Sequence, residues 1–432
     1  MFQTLRNAWK MADLRKKLLY TLLIIVIFRI GAAIPIPFLD PSALATLFNQ
    51  GENTMLGYLD ILTGGALANG TLFALSIQPY INASIIIQLL MVAIPPLGRL
   101  AKEGEVGQKK VGMITRWVTL ALALVQAIGY YFIMKSYGAV EYTKGFDGWY
   151  ALFIILACFT AGSCLIVWLG ERIDENGIGN GISMILFAGI VSRGPSAVNT
   201  LLKYWEMGNQ GYTQYYFLVP LVAVLFVAVI GFIVFFTNAE RKLPVQYAKR
   251  VVGRKMYGGQ SSYIPIKVNM SGVMPIIFAS SFVSLPATIK TFANISDDST
   301  WGKILGFLNP DTIAYAIIYF LLIIFFNFFY VQIQYNPVEI ANNLQKNNGA
   351  IPGIRPGKPT YEFIQKVLGK VVFLGALFLG LIATLPILLG KVTGMGIQLG
   401  GTTVLILVGV ALETTQQMES QMMMRHYKGF LE

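Results

Sequence analysis

One long apolar stretch carries side chains that could line a path for water. They are Gln78, Ile81, Ile85 and Gln88. On a helix that turns 100° per residue, these four positions fall within about 80° of one another. Polar side chains in a membrane-length apolar run usually face protein or water rather than lipid. Because isoleucine is stiff and a collar of such side chains can exclude water, the stripe predicts one wall of a gated aqueous path.

The chain offers little for catalysis or metal binding. Its single histidine, His426, lies near the C-terminus, and Cys158 and Cys164 lie within one apolar run without metal-ligand spacing. Residues 177–181 are glycine-rich, but they lack the preceding strand and the lysine of a phosphate-binding loop. The sequence contains no recognisable pairing of a nucleophile with a base, and no paired carboxylates. We therefore expect no enzymatic activity and no bound cofactor.

The composition is that of an integral membrane protein. Of 432 residues, 55% are hydrophobic and only 12% are charged, whereas soluble domains have about 25% charged residues. Apolar runs of about 20 residues recur along nearly the whole chain, which predicts an all-α fold with ten transmembrane helices. The spans cover roughly Leu18–Ile36, Phe73–Ile94, Gly112–Met134, Tyr150–Gly170, Gly181–Val198, Tyr215–Thr237, Ser271–Lys290, Thr312–Ile333, Val367–Leu389 and Gly400–Thr415.

The basic residues predict the orientation of these spans. If the N-terminus is cytoplasmic, most of the 33 lysines and arginines fall on the inner side. The outer loops then contain only Lys135, Lys144, Arg193, Lys203, Lys290, Lys303 and Lys391. Such a bias predicts a multi-pass protein with both termini in the cytoplasm. Met55–Ala68 is too short and too rich in glycine to cross, so we expect a half-helix surrounded by protein or water.

The ten spans divide into two sets of five that share features. In spans 2 and 7 an isoleucine follows two residues after Pro79 and Pro275, and spans 5 and 10 both begin with glycines. These correspondences predict two pseudosymmetric inverted halves with the path between them. The expected organisation is a cytoplasmic arm at 1–17, halves at 18–200 and 201–415, a plug at about 55–70, and a cytoplasmic tail at 416–432.

Two inner loops are larger than the topology requires. Residues 238–269 alternate β-forming residues about a glycine-rich tip, which predicts a projecting hairpin. Residues 335–366 include the turn GAIPGIRPGKPT, which presents Arg355 and Lys358. These loops are either ordinary solvated loops or a docking surface for an acidic or nucleic-acid partner.

Two other classes of function are compatible with parts of this pattern. A secondary solute transporter also uses inverted repeats and broken helices, but it needs titratable groups within the spans. Here Asp60 falls in the half-helix and Glu413 lies near an inner end. A purely structural scaffold would not need a polar stripe with an apolar collar. Bound metabolite on purification would favour the transporter.

Six motifs follow one another along nearly the whole chain. In order, they are GGAL, QPYINASIIIQLL, WLGERIDENGIGNGIS, KVNMSGVMP, GIRPG and GGTTVLILV. Together they resemble the SecY family of bacterial protein-conducting channels. The resemblance implies a clamshell of ten helices with the pore between its halves, and a lateral gate of spans 2 and 3 against spans 7 and 8. It also implies a passive conduit that passes unfolded polypeptides across the bacterial inner (cytoplasmic) membrane and releases apolar segments into lipid.

The resemblance assigns roles to residues at matching positions. The pore ring would be Ile81, Ile85, Leu186, Ile190, Ile277 and Ile406, with Leu186 departing from the isoleucine common there. The plug would be Thr63, Gly64, Gly65, Ala66 and Leu67. Polar positions of the lateral gate would be Gln126 and Asn269. Contacts to the ribosome or to the motor SecA would be Lys249, Arg250, Arg254, Lys255 and Arg355.

Partners follow from the same resemblance. The membrane subunits would be SecE and SecG, and the driving force would come from the ribosome or from the SecA ATPase. The substrates would be a signal sequence and the nascent polypeptide, with membrane lipids reached through the lateral gate. No cofactor and no small-molecule substrate are implied. Partner binding at the basic loops would separate the halves, move the plug and widen the ring.

Overall fold

The computed structural model describes most of the chain as helices joined by short segments. The residues described are 2–44, 60, 63–142, 145–209, 212–247, 250–252, 255–257, 261–292, 299, 300, 302, 305, 312–393 and 401–428. The first helices are α1 (Phe2–Lys10), α2 (Ala12–Gly31), α3 (Gln78–Ala93), α4 (Pro95–Ala101), α5 (Glu105–Ser136), α6 (Gly145–Asn176), α7 (Gly181–Ser192) and α8 (Gly194–Asn209). The later helices are α9 (Tyr215–Thr237), α10 (Met274–Phe292), α11 (Ile313–Gln334), α12 (Pro337–Lys346), α13 (Lys358–Thr393) and α14 (Gly401–Lys428).

Each of the ten predicted spans contains a helix. Within the described residues, six helical stretches are long and apolar enough to cross a membrane: α5, α6, α7 with α8, α9, α11 with α12, and α13. A seventh candidate is the pair α3 and α4, which is bent by 111° at its break. Almost none of α9 is buried inside the protein, which is typical of a helix that faces lipid. The chain is therefore a multi-pass membrane protein.

Several helix ends differ from those expected. Span 2 was expected from Phe73, but α3 begins at Gln78, because Ser76 has a positive φ of 48° and Pro79 stands in the first helical turn. The predicted tail at 416–432 is helical as far as Lys428, because α14 continues through a run of good helix formers without a glycine or proline. Helix α8 runs across the boundary expected near residue 200.

The two large loops come together in one small sheet. Strand β1 (Glu240–Tyr247) pairs antiparallel with β4 (Ser261–Lys267), and β2 (Arg250–Val252) pairs with β3 (Lys255–Tyr257) nearer the tip. This confirms the projecting hairpin. The second loop adds β5 (Gly349–Ala350) to the free edge of β1, giving the order β4-β1-β5. We call the sheet β4-β1-β5 with the turn at 351–357 the basic platform.

One apolar core joins the first and second sets of spans. It includes buried side chains from α2, α3, α6 and α7 together with side chains from α9, α10, α11, α13 and α14. A second cluster lies under the loops that follow α2, α5 and residue 63, and a third lies beneath the basic platform. The residues expected to gate a path therefore belong to the one core that both sets of spans share.

Candidate functional site: an apolar ring with a covering segment

Six apolar side chains from four helices belong to the shared core. They are Ile81 and Ile85 of α3, Leu186 and Ile190 of α7, Ile277 of α10 and Ile406 of α14. Five are buried, with exposed fractions between 1% and 8%, and Ile277, which is partly exposed, packs against the same core. The two pairs on α3 and α7 are spaced four residues apart, which places each pair on one helical face. We call this set the apolar ring.

Polar groups flank the apolar ring along α3. Gln78 and Gln88 are partly exposed, whereas Ile81 and Ile85 between them are buried. Gln88 donates from Nε2 to the Ser84 hydroxyl at 3.4 Å, so its side chain is satisfied on its own helix. The stripe read from the sequence is therefore present, with a buried middle and more exposed ends.

A polar cavity lies one helical turn from the apolar ring. Its volume is about 380 Å³, and it lies between the start of α7 and the middle of α14. Ser183 stands one turn before Leu186 on α7, and Val410 stands one turn after Ile406 on α14. Asp174, Asn180, Glu413 and Gln417 supply most of its polar lining. Two helices of the apolar ring thus border a polar space that is large enough to hold water.

Local hydrogen bonds hold the start of α7 in place. Asn180 caps the helix by accepting from the Ser183 N–H at 3.1 Å, and Asp174 accepts from the Gly181 N–H at 2.7 Å. Gly181 has no room for a side chain, because a Cβ there would lie 1.9 Å from the Gly170 carbonyl oxygen of α6. The preceding turn is tied to α14, since the Gly179 N–H donates to Gln417 Oε1 at 2.7 Å.

The predicted plug residues lie against the end of α7. Asp60 is helical and residues 63–77 form turns, apart from a short bridge at Thr71, while 45–59, 61 and 62 lie outside the described residues. Thr63, Ala66 and Leu67 are buried. Gly64 has a φ of +67°, and a Cβ there would lie 2.9 Å from the Gly189 carbonyl oxygen of α7. Glycine is therefore required both by the backbone conformation and by the close approach to the helix that carries Leu186 and Ile190.

The two predicted lateral-gate residues lie on different elements. Gln126 is half-buried on α5, and α5 and α3 both contact α10. Asn269 precedes α10 and lines a cavity of about 240 Å³ that is bounded by α9 and α14. A polar link joins the neighbouring elements: Asn327 of α11 accepts from the Ser271 hydroxyl and donates to the Val372 carbonyl of α13 at 3.0 Å.

The three described basic residues expected to contact a partner lie in the basic platform or in the β2-β3 pair that follows β1. Arg250 is in β2, where it pairs with Tyr257, and Lys255 is in β3 opposite Val252. Arg355 is exposed in the turn, and its carbonyl oxygen accepts from the Thr360 hydroxyl at 2.8 Å. Lys249 and Arg254 lie outside the described residues. The described members therefore come from both loops yet lie in one region of the fold.

Sequence reasoning did not single out Gln417 or Arg193 as functional. Gln417 joins α14 to the start of α7, and nothing in its local sequence marks that contact. Arg193 follows the last residue of α7 and forms an ion pair with the buried Asp60. The sequence did contain a signal for this ion pair, because Asp60 and Arg193 each lie at the edge of an apolar segment, where a charged side chain needs a partner.

Comparison with known families gives a match over most of the chain. The model of the family described as SecY matches residues 71–415. The chain is 43% identical to the protein translocase subunit SecY of Streptomyces coelicolor over 444 residues, covering 100% of both chains. It is 41% identical to the protein translocase subunit SecY of Thermotoga maritima over 436 residues, covering 100% of this chain and 98% of the relative.

Solved structures with the same fold are more distant in sequence. One, described as showing that the plug domain of the SecY protein stabilises the closed state, has a TM-score of 0.66 at 19% identity and covers 94% of this chain and 92% of the other. Another, described as Sec61 in the canine ribosome-channel complex, has a TM-score of 0.59 at 17% identity with the same coverage. These likenesses establish the fold.

Proposed function

Because this chain belongs to the SecY family, we propose that it is the protein-conducting channel of a membrane translocase. It passes unfolded polypeptides between its two sets of spans and releases apolar segments sideways into lipid. The observation that carries the proposal is the apolar ring, whose six side chains from α3, α7, α10 and α14 all belong to the apolar core shared by the two sets of spans. A collar of branched apolar side chains closes a narrow hole by excluding water, and it selects no particular solute.

The proposed role is that of a passive conduit rather than an enzyme. The driving force comes from a partner, either a ribosome that elongates the chain or the SecA ATPase. SecE and SecG are the proposed membrane subunits, and the proposed membrane is the bacterial inner membrane, with both termini in the cytoplasm. The basic platform and the adjoining β2-β3 pair are the proposed docking surface, supported by exposed Arg355 and by the strand positions of Arg250 and Lys255.

The proposed movements follow from the way the elements pack. A signal sequence enters between α3 with α5 on one side and α10 with α11 on the other, and Gln126 and Asn269 are the proposed polar positions of that gate. The segment around Thr63–Leu67 covers the apolar ring when no chain is present, and it moves aside when the halves separate. Support comes from the contacts of α10 with α3 and with α5, which bring gate helices of the two halves together.

An ion-coupled solute transporter is less well supported. Such a protein needs titratable groups at the middle of its spans. Among the described residues, Asp60 is the one charged residue that is buried, and it already forms an ion pair with Arg193. Its position beside the end of α7 does not fit a coupling site between the halves.

The experiment that tests the proposal opens the apolar ring without a substrate. Replacing Ile85 and Ile277 together by serine should raise resting ion conductance of the purified complex in planar bilayers, because hydroxyl groups lower the cost of wetting a constriction. The matched control is Ile86→Ser, since Ile86 neighbours Ile85 on α3 but is 39% exposed. Equal conductance in the wild type, the ring variant and the control would contradict the seal.

A further inference from the structure

A buried ion pair fastens the plug segment to the helix that carries two members of the apolar ring. Arg193, directly after α7, pairs through Nη2 with Oδ2 of Asp60. The side chain of Asp60 is 8% exposed and that of Arg193 is 26% exposed, so most of the pair is shielded from water. Breaking a buried pair leaves an uncompensated charge and is strongly unfavourable.

Asp60 also organises the segment that it anchors. Its Oδ1 accepts from the Ala68 N–H at 2.8 Å, which leaves Oδ2 for the arginine. Its backbone carbonyl accepts from the Gly65 N–H at 2.9 Å and from the Thr63 hydroxyl at 3.0 Å. One residue therefore shapes the turn and connects the turn to α7.

The guanidinium of Arg193 lies against Gly65, the second glycine of the Gly64–Gly65 pair in the plug segment. Gly65 has a φ of +89°, and a Cβ there would lie 3.0 Å from Nη2 of Arg193. A second arginine, Arg29 in the last turn of α2, donates to the Gly64 carbonyl oxygen at 3.4 Å. The positive charges of Arg29 and Arg193 are close enough to repel each other. The carboxylate of Asp60 offsets that repulsion only while the segment is in place.

We propose that Asp60 and Arg193 form a latch that sets how readily the plug leaves the apolar ring. The inference rests on the proposed channel function. Arg193 lies three residues after Ile190 on the same helix end, so a movement of α7 that widens the ring also stretches the ion pair. Departure of the plug leaves Arg193 beside Arg29 without its carboxylate. Opening and plug release are therefore coupled through one positioning pair, with Arg29 as a weaker second contact.

The test is a double-mutant cycle on resting conductance. Asp60→Asn keeps an acceptor for the Ala68 N–H but removes the charge, and Arg193→Gln removes the guanidinium. Each single variant of the purified complex should raise substrate-free ion conductance by about tenfold or more, since each leaves one buried charge unpaired. Because both remove the same interaction, the double variant should leak no more than the leakier single variant. Thermal unfolding of each complex checks that it is folded.

Two controls separate the latch from a general effect of charge. Lys203→Gln removes a positive charge from exposed α8 nearby in sequence and should leave conductance at the wild-type level. Arg193→Lys keeps a positive charge and should leak less than Arg193→Gln. A stronger leak in the double variant than in either single variant would overturn the latch, because the two residues would then act independently.

The same conductance measurements distinguish a failure of the latch from a failure of the proposed channel function. Latch variants that stay at the wild-type conductance while the Ile85→Ser, Ile277→Ser variant leaks would overturn the latch alone. If the ring variant also keeps the wild-type conductance, the proposed channel function is contradicted, and the latch with it. Leak in both sets, with coupling between Asp60 and Arg193, supports both.

Discussion

At the scale of the residue, glycines allow the segments around the apolar ring to approach one another closely. A Cβ at Gly162 of α6 would lie 1.9 Å from the Leu72 carbonyl oxygen, in the turn region that leads into α3. A Cβ at Gly31 of α2 would lie 2.1 Å from Cε2 of Phe73 in the same region. The start of α3, and with it Ile81 and Ile85, is thus held by contacts that only glycine permits.

Replacing Gly162 by alanine should therefore destabilise the protein. The added methyl group meets backbone rather than a flexible side chain, so we expect the free energy of unfolding to fall by about 1–3 kcal/mol. Thermal unfolding of the purified complex in detergent measures the change. Gly231→Ala on α9 is the control, because a Cβ there has nothing within 4 Å and alanine favours the helix by up to about 1 kcal/mol. A Gly162 variant as stable as the control would contradict the close approach.

At the scale of the element, buried polar side chains join helices that apolar packing alone would leave free to slide. Asn327 of α11 is 2% exposed and bonds both Ser271, before α10, and the Val372 carbonyl of α13. In an apolar surrounding, such hydrogen bonds between helices limit the relative positions that they can take. The position of α10, which carries Ile277, therefore depends on α11 and α13.

Asn327→Leu tests this link at nearly constant volume. The variant leaves Ser271 without its acceptor and should lower the free energy of unfolding by about 0.5–2 kcal/mol. Gln332→Leu, at an exposed position of the same helix, should have little effect. Thermal unfolding of both variants measures the difference. Equal stability would show that Asn327 does not connect these elements energetically.

At the scale of the whole molecule, charge and apolar surface are separated. The chain carries a formal net charge of +12, and the basic platform gathers exposed cations from two loops that are distant in sequence. The lipid-facing surface, in contrast, is apolar, as the exposed side chains of α9 illustrate. A positive surface of this kind speeds association with acidic partners, and its effect weakens with salt.

Reversing the charge at Arg355 should weaken partner binding. Arg355→Glu places a carboxylate among cations, so the affinity for ribosomes or for SecA should fall by about tenfold or more at low salt. The difference from wild type should shrink as ionic strength rises, because the Debye length falls from about 10 Å at 0.1 M to about 3 Å at 1 M. Co-sedimentation or fluorescence titration measures it, with Lys203→Glu as control. Unchanged affinity at low salt would remove Arg355 from the docking surface.

The sequence by itself determined the class of protein, the apolar runs that each contain a helix, the stripe on α3 and the hairpin. These are local properties: the length of an apolar run, a period of 3.6 or 2 residues, and the sign of the charges in the loops. Helix ends were less predictable, as at Gln78, because a turn and a proline outweighed the apolar pattern.

Only the tertiary structure decided which distant segments meet. It placed the six residues of the apolar ring in one apolar core, joined β5 to the hairpin, and paired Asp60 with Arg193. Burial of a charge or of a ring of isoleucines depends on what packs around it, and periodicity along one segment carries no information about its neighbours. Sequence thus identified residues proposed to line the path, and only the packing of the two sets of spans placed them in one apolar core, with the segment at Thr63–Leu67 against the end of α7.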